Sequence, residues 1–361
     1  MRLKLGLFAV LLLLLVAPVL AQDVDNLAAI MDSTLTAVEE EFPFVPGFSV
    51  AVVKDGAVIW SGGYGYADVE AGTPATADTL FPAASISKVV TAYAILGMAD
   101  EGLIDLDAPV NSYLTRWQVT ALGRNDPANV TIRRILSHTA GLSAEGYPGF
   151  AADAALPTLE EFLDGAGGDP VRMVISAGRT FMYSGGGYTV LQLLIEELSG
   201  MSYEDYMQSA VFEPLGMTNS TFVWTPELGA AAQYDRNGES FLNVVHVDQA
   251  AGGLLASAND LGAFFGALMQ DARSEAIFTA AEGTREEYGY GVYVDQTESG
   301  ERMIWHDGLG RGMHAIFYLF PDAGEGVVIL TNTPPGTAVV NPAMCAYDRW
   351  SDVDASEFCE G

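Results

Sequence analysis

The sequence is poor in lysine, histidine and cysteine, and each scarcity narrows what the chain can do. Its only lysines are Lys4, Lys54 and Lys88, and in all it carries 16 basic against 47 acidic residues. A formal net charge of −31 excludes the basic face that would hold a nucleic acid or an anionic membrane surface, and solubility is its simplest meaning. The four histidines, His138, His246, His306 and His314, show no ligand spacing with carboxylates or thiols, so neither a metal nor another cofactor is expected. Long apolar runs are also missing after the N-terminus. The one that exists, Leu5 to Val19, follows Arg2 and Lys4 and leads into Leu20-Ala21-Gln22. It falls short of the roughly 20 residues of a membrane span and has the layout of a secretory leader cut after Ala21, with an uncleaved anchor as the alternative. No cysteine follows it, which leaves a lipid anchor unsupported.

Both cysteines, Cys345 and Cys359, lie near the C-terminus. In an exported chain, periplasmic or secreted, they are expected to form a disulfide that closes the tail; a pair of metal thiolates would lack partner ligands nearby. Half of the residues are hydrophobic, enough to give one large domain, or two intimate ones, a sizeable core.

Period-2 and period-3.6 patterning divide the remainder. Asp23 is expected to cap a helix with apolar positions Leu27, Ile30, Met31, Leu35 and Val38, ending near Phe42-Pro43. Gly47–Val53 and Ala57–Ser61 flank Lys54-Asp55-Gly56 as a hairpin. From Ser85 to about Arg273 the pattern is mainly helical, with Asn259-Asp260 expected to cap a helix over Leu261–Met269. Strand periodicity returns over Tyr290–Val294, Arg302–Trp305, His314–Leu319 and Val327–Thr331, and Ala338–Trp350 reads as a closing helix. The expected organisation is a leader over 1–21, a main domain over 22–337 and a C-terminal helix and tail over 338–361. Its class is α+β: one antiparallel sheet built from about 47–64 and 288–332, with a helical region over about 85–273 inserted between.

The scarce lysine marks the centre of the chemistry. In Ser85-Ile86-Ser87-Lys88, at the mouth of an apolar helix, the serine and lysine side chains fall one turn apart on one face. A serine nucleophile needs a base that is neutral near pH 7, and a lysine deprived of solvent can be one. Tyr183, in Met182-Tyr183-Ser184-Gly185-Gly186-Gly187, could be a second proton carrier or a packing residue at a glycine-rich helix entry. His306, in His306-Asp307-Gly308 after a strand, could line a cleft or simply leave the sheet. His138 reads as a helix-end buttress.

Ser-x-x-Lys, then Tyr-Ser-Gly, then His-x-Gly on a late strand, in that order, resembles the serine β-lactamase and penicillin-binding-protein superfamily, in particular its class C branch. Ser137–Leu142, Glu213–Met217 and Ala251–Leu254 are also similar to segments of that family. The resemblance implies a β-lactamase/transpeptidase-like fold and an acyl-enzyme on Ser85. It also implies a proton-shuttling Lys88, Tyr183 as base and then acid, His306 in the catalytic set, and an oxyanion hole from the backbone N–H groups of Ser85 and Leu309. Gly185, Asp307, Gly308 and Arg311 fall at substrate-facing positions. Two departures shift the expectation from β-lactams towards esters or small peptides. Gly185 supplies no side-chain amide, and Asp307 would repel a substrate carboxylate if it faced the cleft, although Arg311 is close enough in sequence to restore positive charge. The expected activity is therefore that of an exported, cofactor-free serine hydrolase, esterase or D-amino-acid peptidase-like, acting on a small molecule or short peptide. A DD-carboxypeptidase or β-lactamase is the alternative within the class, and a non-catalytic or slowly turning over binder of cell-wall-like peptides the alternative outside it.

Overall fold

The structure, a computed structural model, describes residues 5–241, 244–282 and 287–359, with side chains from Asp23 onward. The expected cleavage after Ala21 lies outside the residues whose side chains are described. Among the described residues no helix is long and apolar enough to cross a membrane.

A seven-stranded sheet forms the backbone of the molecule. Its strands are β1 (Gly47–Lys54), β2 (Ala57–Asp68), β3 (Thr73–Pro74), β4 (Tyr293–Gln296), β5 (Arg302–Gly310), β6 (Met313–Phe320) and β7 (Glu325–Thr331). Their spatial order is β4-β5-β6-β7-β1-β2-β3, antiparallel throughout. β1 and β2 are joined through Asp55 and Gly56, both at positive φ (51° and 86°), the conformation that a two-residue hairpin turn demands. The N-terminal hairpin thus docks on the C-terminal meander through the β1–β7 ladder, in which Phe48 faces Thr331 and Lys54 faces Glu325.

Strand alternation sorts the side chains onto two faces. Phe48, Val50 and Val52 of β1, Ile316 and Tyr318 of β6 and Val327 and Ile329 of β7 pack on one side. They meet Leu27, Met31 and Leu35 of helix α1 (Leu5–Glu41) and Val339, Ala343 and Met344 of the closing helix α5 (Thr337–Asp348). On the other face Ala315, Phe317, Leu319, Val328 and Leu330 meet the inserted region, which holds α2 (Ser87–Asp100), α3 (Gly185–Ser199) and α4 (Ala258–Gln270). Phe265 of α4 packs on Phe317 with ring centroids 4.0 Å apart. Each fully buried side chain of this size contributes about 1.5–3 kcal/mol. Cys345 and Cys359 form the expected disulfide, tying α5 to the tail.

Two expected helix caps are corrected. α1 runs through Asp23 without a break, and Asp23 instead accepts hydrogen bonds from the Trp350 indole N–H, at 3.1 Å on its carboxylate and 3.2 Å on its carbonyl. α4 is capped by Ser257, whose hydroxyl accepts from the Asp260 N–H at 3.0 Å, placing the start two residues before the expected Asn259. Pairing partners distant in sequence also create two-residue strands inside the helical region, such as Phe81–Pro82 with Leu255–Ala256, which no local periodicity could signal.

Candidate active site

α2 is the interior axis of the inserted region: every residue from Ser87 to Leu96 is buried. A helix apolar on all sides is stable only when packed on all sides, and its polar members must find partners. Ser87 donates to the Ala84 carbonyl at 2.6 Å and accepts from the Leu254 N–H at 3.0 Å. Thr91 is within hydrogen-bond distance of the Ser87 and Ala250 carbonyls and the Tyr203 hydroxyl. The chain enters α2 through a 3-10 turn, Ala84–Ile86, with Ala84 at φ 42°. A non-glycine residue in that region is strained, and the strain falls on the residue that presents Ser85.

Lys88 is 2% exposed. Its ammonium nitrogen donates to Ala251 O at 2.7 Å and to Ser85 Oγ at 3.1 Å. Burial pulls the Lys88 pKa down to about 7, against the opposing charges of Asp248 and Asp307. The Tyr183 ring centroid is 4.8 Å from Lys88 Nζ. Burial raises the Tyr183 phenol above its usual range, opposed by a hydrogen bond with Ser85. Tyr183, distant in sequence, therefore shares one locus with Ser85 and Lys88.

β5 reaches that locus edge-on. A Cβ on Gly308 would lie 2.2 Å from Ala83 O and 3.1 Å from Ser85 N, so only glycine lets the strand lie against the turn that carries Ser85. The Leu309 backbone follows at the strand end. Gly185 opens α3 under a similar constraint: its Cβ would be 2.9 Å from Glu145 O.

This locus opens on a cavity of about 390 Å³, whose wall includes neither Tyr183 nor Gly308. Ser85, Lys88, Gly185, Leu309 and Arg311 line it, together with Glu145, Tyr147, Trp224, His246 and Asp248, which sequence reasoning did not single out. Arg311 lies over the Phe241 ring, 4.2 Å from its centroid. His246 Nδ1 is 3.1 Å from the buried Asp248 carboxylate. Burial disfavours the His246 imidazolium, but the charge and hydrogen bond of Asp248 outweigh it and raise the pKa. The one available signal was position, since Asp248 opens the turn Gln249–Gly252 that delivers Ala251 O to Lys88.

Asp307 is not at the cavity. Alternation along β5 puts Ile304 on the face of the inserted region and Met303 and Trp305 on the opposite face. Asp307 falls in the latter phase, with its carboxylate 3.9 Å from His314 Nε2. The expected substrate-facing position is corrected: the residue acts on the site only as a distant charge. His306, in the other phase, points towards the inserted region yet is absent from the cavity wall. Its Nδ1 lies 2.6 Å from the Asp307 carbonyl and its Nε2 3.1 Å from the Tyr288 hydroxyl. Burial lowers its pKa to about 3. His138 is also buried, at φ 55°, and its Nε2 has no hydrogen-bond partner, an arrangement that costs about 1–3 kcal/mol.

The family model described as Beta-lactamase matches residues 35–343. The chain belongs to the beta-lactamase family. Among curated relatives, "Protein flp" of Staphylococcus aureus is 25% identical over 333 residues, covering 86% of this chain and 65% of its own. "Penicillin-binding protein 4*" of Bacillus subtilis is 26% identical over 320 residues, covering 80% and 68%. The chain thus spans about two thirds of the length of these relatives. Among solved structures, an octameric penicillin-binding protein homologue from Pyrococcus abyssi superposes with a TM-score of 0.73 at 29% identity, over 88% of this chain and 76% of its own. A β-lactamase/D-alanine carboxypeptidase from Pseudomonas syringae shares the fold, with a TM-score of 0.70 at 19% identity over 89% and 98%. The β-lactamase/transpeptidase-like α+β fold is that of the family.

Proposed function

We propose that this protein is an exported serine hydrolase that cleaves an ester or amide through an acyl-enzyme on Ser85. The observation that carries the reading is Lys88, buried, 3.1 Å from Ser85 Oγ and with its pKa drawn down to about 7. At neutral pH a large fraction of such a lysine is an amine, able to take the serine proton. As Ser85 Oγ attacks the substrate carbonyl carbon, the hydroxyl proton passes to Lys88. In this reading the oxyanion is received by the backbone N–H groups of Ser85 and Leu309, a role supported by the close approach of β5 at Gly308 to the Ser85 nitrogen. Donors so placed lower the barrier by about 3–4 kcal/mol each. Collapse breaks the bond to the leaving group, which takes its proton through Tyr183. Water then attacks the acyl-enzyme, its proton leaves by the same groups, and Ser85 is regenerated.

In this reading the roles differ from the family expectation, supported by the burial of the Tyr183 phenol. Tyr183 is held protonated, which favours Lys88 as the first base and Tyr183 as the carrier to the leaving atom. The disulfide Cys345–Cys359 supports export.

The substrate proposed first is a small ester or D-amino-acid peptide. Arg311 in the cavity wall, with Asp307 on the far face of the sheet, favours a second reading as a carboxypeptidase or β-lactamase that meets a substrate carboxylate. Labelling the protein with a fluorophosphonate and a fluorescent penicillin in parallel, and locating the adduct by mass spectrometry, tests both. Label on Ser85 from the phosphonate alone supports the first; label from both supports the second. Undiminished turnover of a p-nitrophenyl ester by folded Ser85→Ala would overturn the nucleophile.

A further inference from the structure

Tyr183 lies between two histidines that the acyl-transfer steps do not use. The His138 ring packs on it at 4.2 Å between centroids, and the His306 ring flanks it at 6.0 Å. Tyr288 bridges the two, 5.0 Å from the His138 ring and bonded through its hydroxyl to His306 Nε2.

The backbone of the tyrosine segment is tied to the same residue. His138 O accepts from the Met182 N–H at 2.8 Å, and His138 Nδ1 accepts from the Ser184 N–H at 3.1 Å. One residue thus grips the positions immediately before and after Tyr183 while its ring supports the phenol. His138 makes these contacts from φ 55°, a backbone conformation uncommon for a residue other than glycine.

These bonds fix the two protons. An amide N–H can only donate, so His138 Nδ1 is bare and the proton sits on Nε2. A carbonyl can only accept, so His306 carries its proton on Nδ1, directed at Asp307 O, and Nε2 accepts from Tyr288. Protonating His138 would set a second donor against the Ser184 N–H and break that contact, whereas protonating His306 would reverse its bond with the Tyr288 hydroxyl.

We propose that His138 and His306 are positioning residues, neutral and of opposite tautomer, that hold the Tyr183 phenol in register with Ser85 and Lys88. This rests on the reading of Tyr183 as the carrier of the leaving-group proton. His306, expected among the groups that meet substrate, acts instead through Tyr288 and Tyr183 from behind the cavity wall.

His138→Asn tests the ring alone. Asparagine tolerates positive φ and offers an amide oxygen where Nδ1 stood, so the Ser184 N–H keeps an acceptor. A catalytic group displaced by about 1 Å loses roughly a hundredfold in rate. The expected result is a folded variant in which kcat falls about tenfold to a hundredfold with KM within about twofold. His138→Phe, which keeps a ring, should recover part of that loss. A folded Asn variant with unchanged kcat overturns the proposal. Nitrogen-15 NMR of the wild-type protein gives a measurement that needs neither variant nor activity. His138 should read as the Nε2–H tautomer and His306 as the Nδ1–H tautomer, both neutral at pH 6; the same tautomer at both, or an imidazolium at either, overturns the arrangement. Should Ser85→Ala retain activity, the hydrolase reading fails while the tautomer result still decides whether the clamp exists.

Discussion

The Lys88 ammonium nitrogen donates to the carbonyl oxygen of Ala251 at 2.7 Å, a shorter contact than the one it makes with Ser85. A carbonyl accepts from either form of the side chain, so the bond orients the nitrogen without fixing its charge. Burial then decides the charge, drawing the lysine's pKa down to about 7.

Rates of Ser85 acylation should therefore rise as pH increases through about 7, following loss of the Lys88 proton. Asp248 heads the causes that raise this pKa, so Asp248→Asn should move the limb to lower pH. The check is kcat/KM for a neutral ester between pH 5 and 9, ranges over which a neutral substrate does not ionise; a limb that stays in place or moves up refutes it.

Lys88 also carries a stability cost with a defined sign. The unfolded chain holds the proton up to the ordinary value of 10.5, whereas the folded chain releases it near 7. Between those values the unfolded state binds more protons, so wild-type stability rises with pH and is lowest below about 7. Lys88→Met should abolish acylation and stabilise the fold by about 1–4 kcal/mol at pH 6, with the gain shrinking towards pH 10. Thermal melts across that range measure it.

Gly308→Ala is expected to be the most damaging single-methyl change in the site. Its Cβ would stand 2.2 Å from Ala83 O, so β5 or the Ser85 turn must move, at about 1–3 kcal/mol. Fluorophosphonate labelling of the folded variant should slow by about a hundredfold or more. Wild-type labelling rates would contradict the edge-on contact.

Arg311 and Asp307 make a paired prediction. Arg311→Ala should raise KM for a carboxylate-bearing ester relative to its neutral analogue, because the guanidinium borders the cavity. Asp307→Asn should leave that ratio within about twofold, since its carboxylate lies on the far face of the sheet. Reversed effects would place the wrong residue at the substrate.

The tail is expected to be separable from the chemistry. Reducing Cys345–Cys359, or replacing both by serine, releases a loop closed over a sequence separation of 14 and should cost about 3 kcal/mol. Labelling at Ser85 should persist under native conditions, because α5 covers the sheet face opposite the cavity. Loss of labelling in the folded, reduced protein would show the tail reaching the site.

What could be read in the sequence follows from physical range. Ser85 and Lys88 are one helical turn apart, so a local spacing carries their geometry. The hairpin at Asp55-Gly56 and the period-2 strands were visible for the same reason. Asp307 was misplaced because alternation names two faces without saying which meets the inserted region; that is decided by the packing of β5 against the turn at Ala83. Glu145, His246 and Asp248 were missed because each comes from an irregular segment whose position depends on partners elsewhere, as in the bond from Gly185 N to Glu145 O. Asp23 failed as a cap because its partner, Trp350, lies at the other end of the chain.

The central ladder has a kinetic corollary. β1 is made early, but its partner β7 ends at Thr331, so a growing chain cannot close the sheet until Thr331 has left the ribosome. Gly308 and Leu309 arrive on that late segment and complete the neighbourhood of Ser85 only then. A chain cut before β5 would carry Ser85 and Lys88 without the strand that packs against their turn, and its Ser85 is expected to escape labelling by a fluorophosphonate.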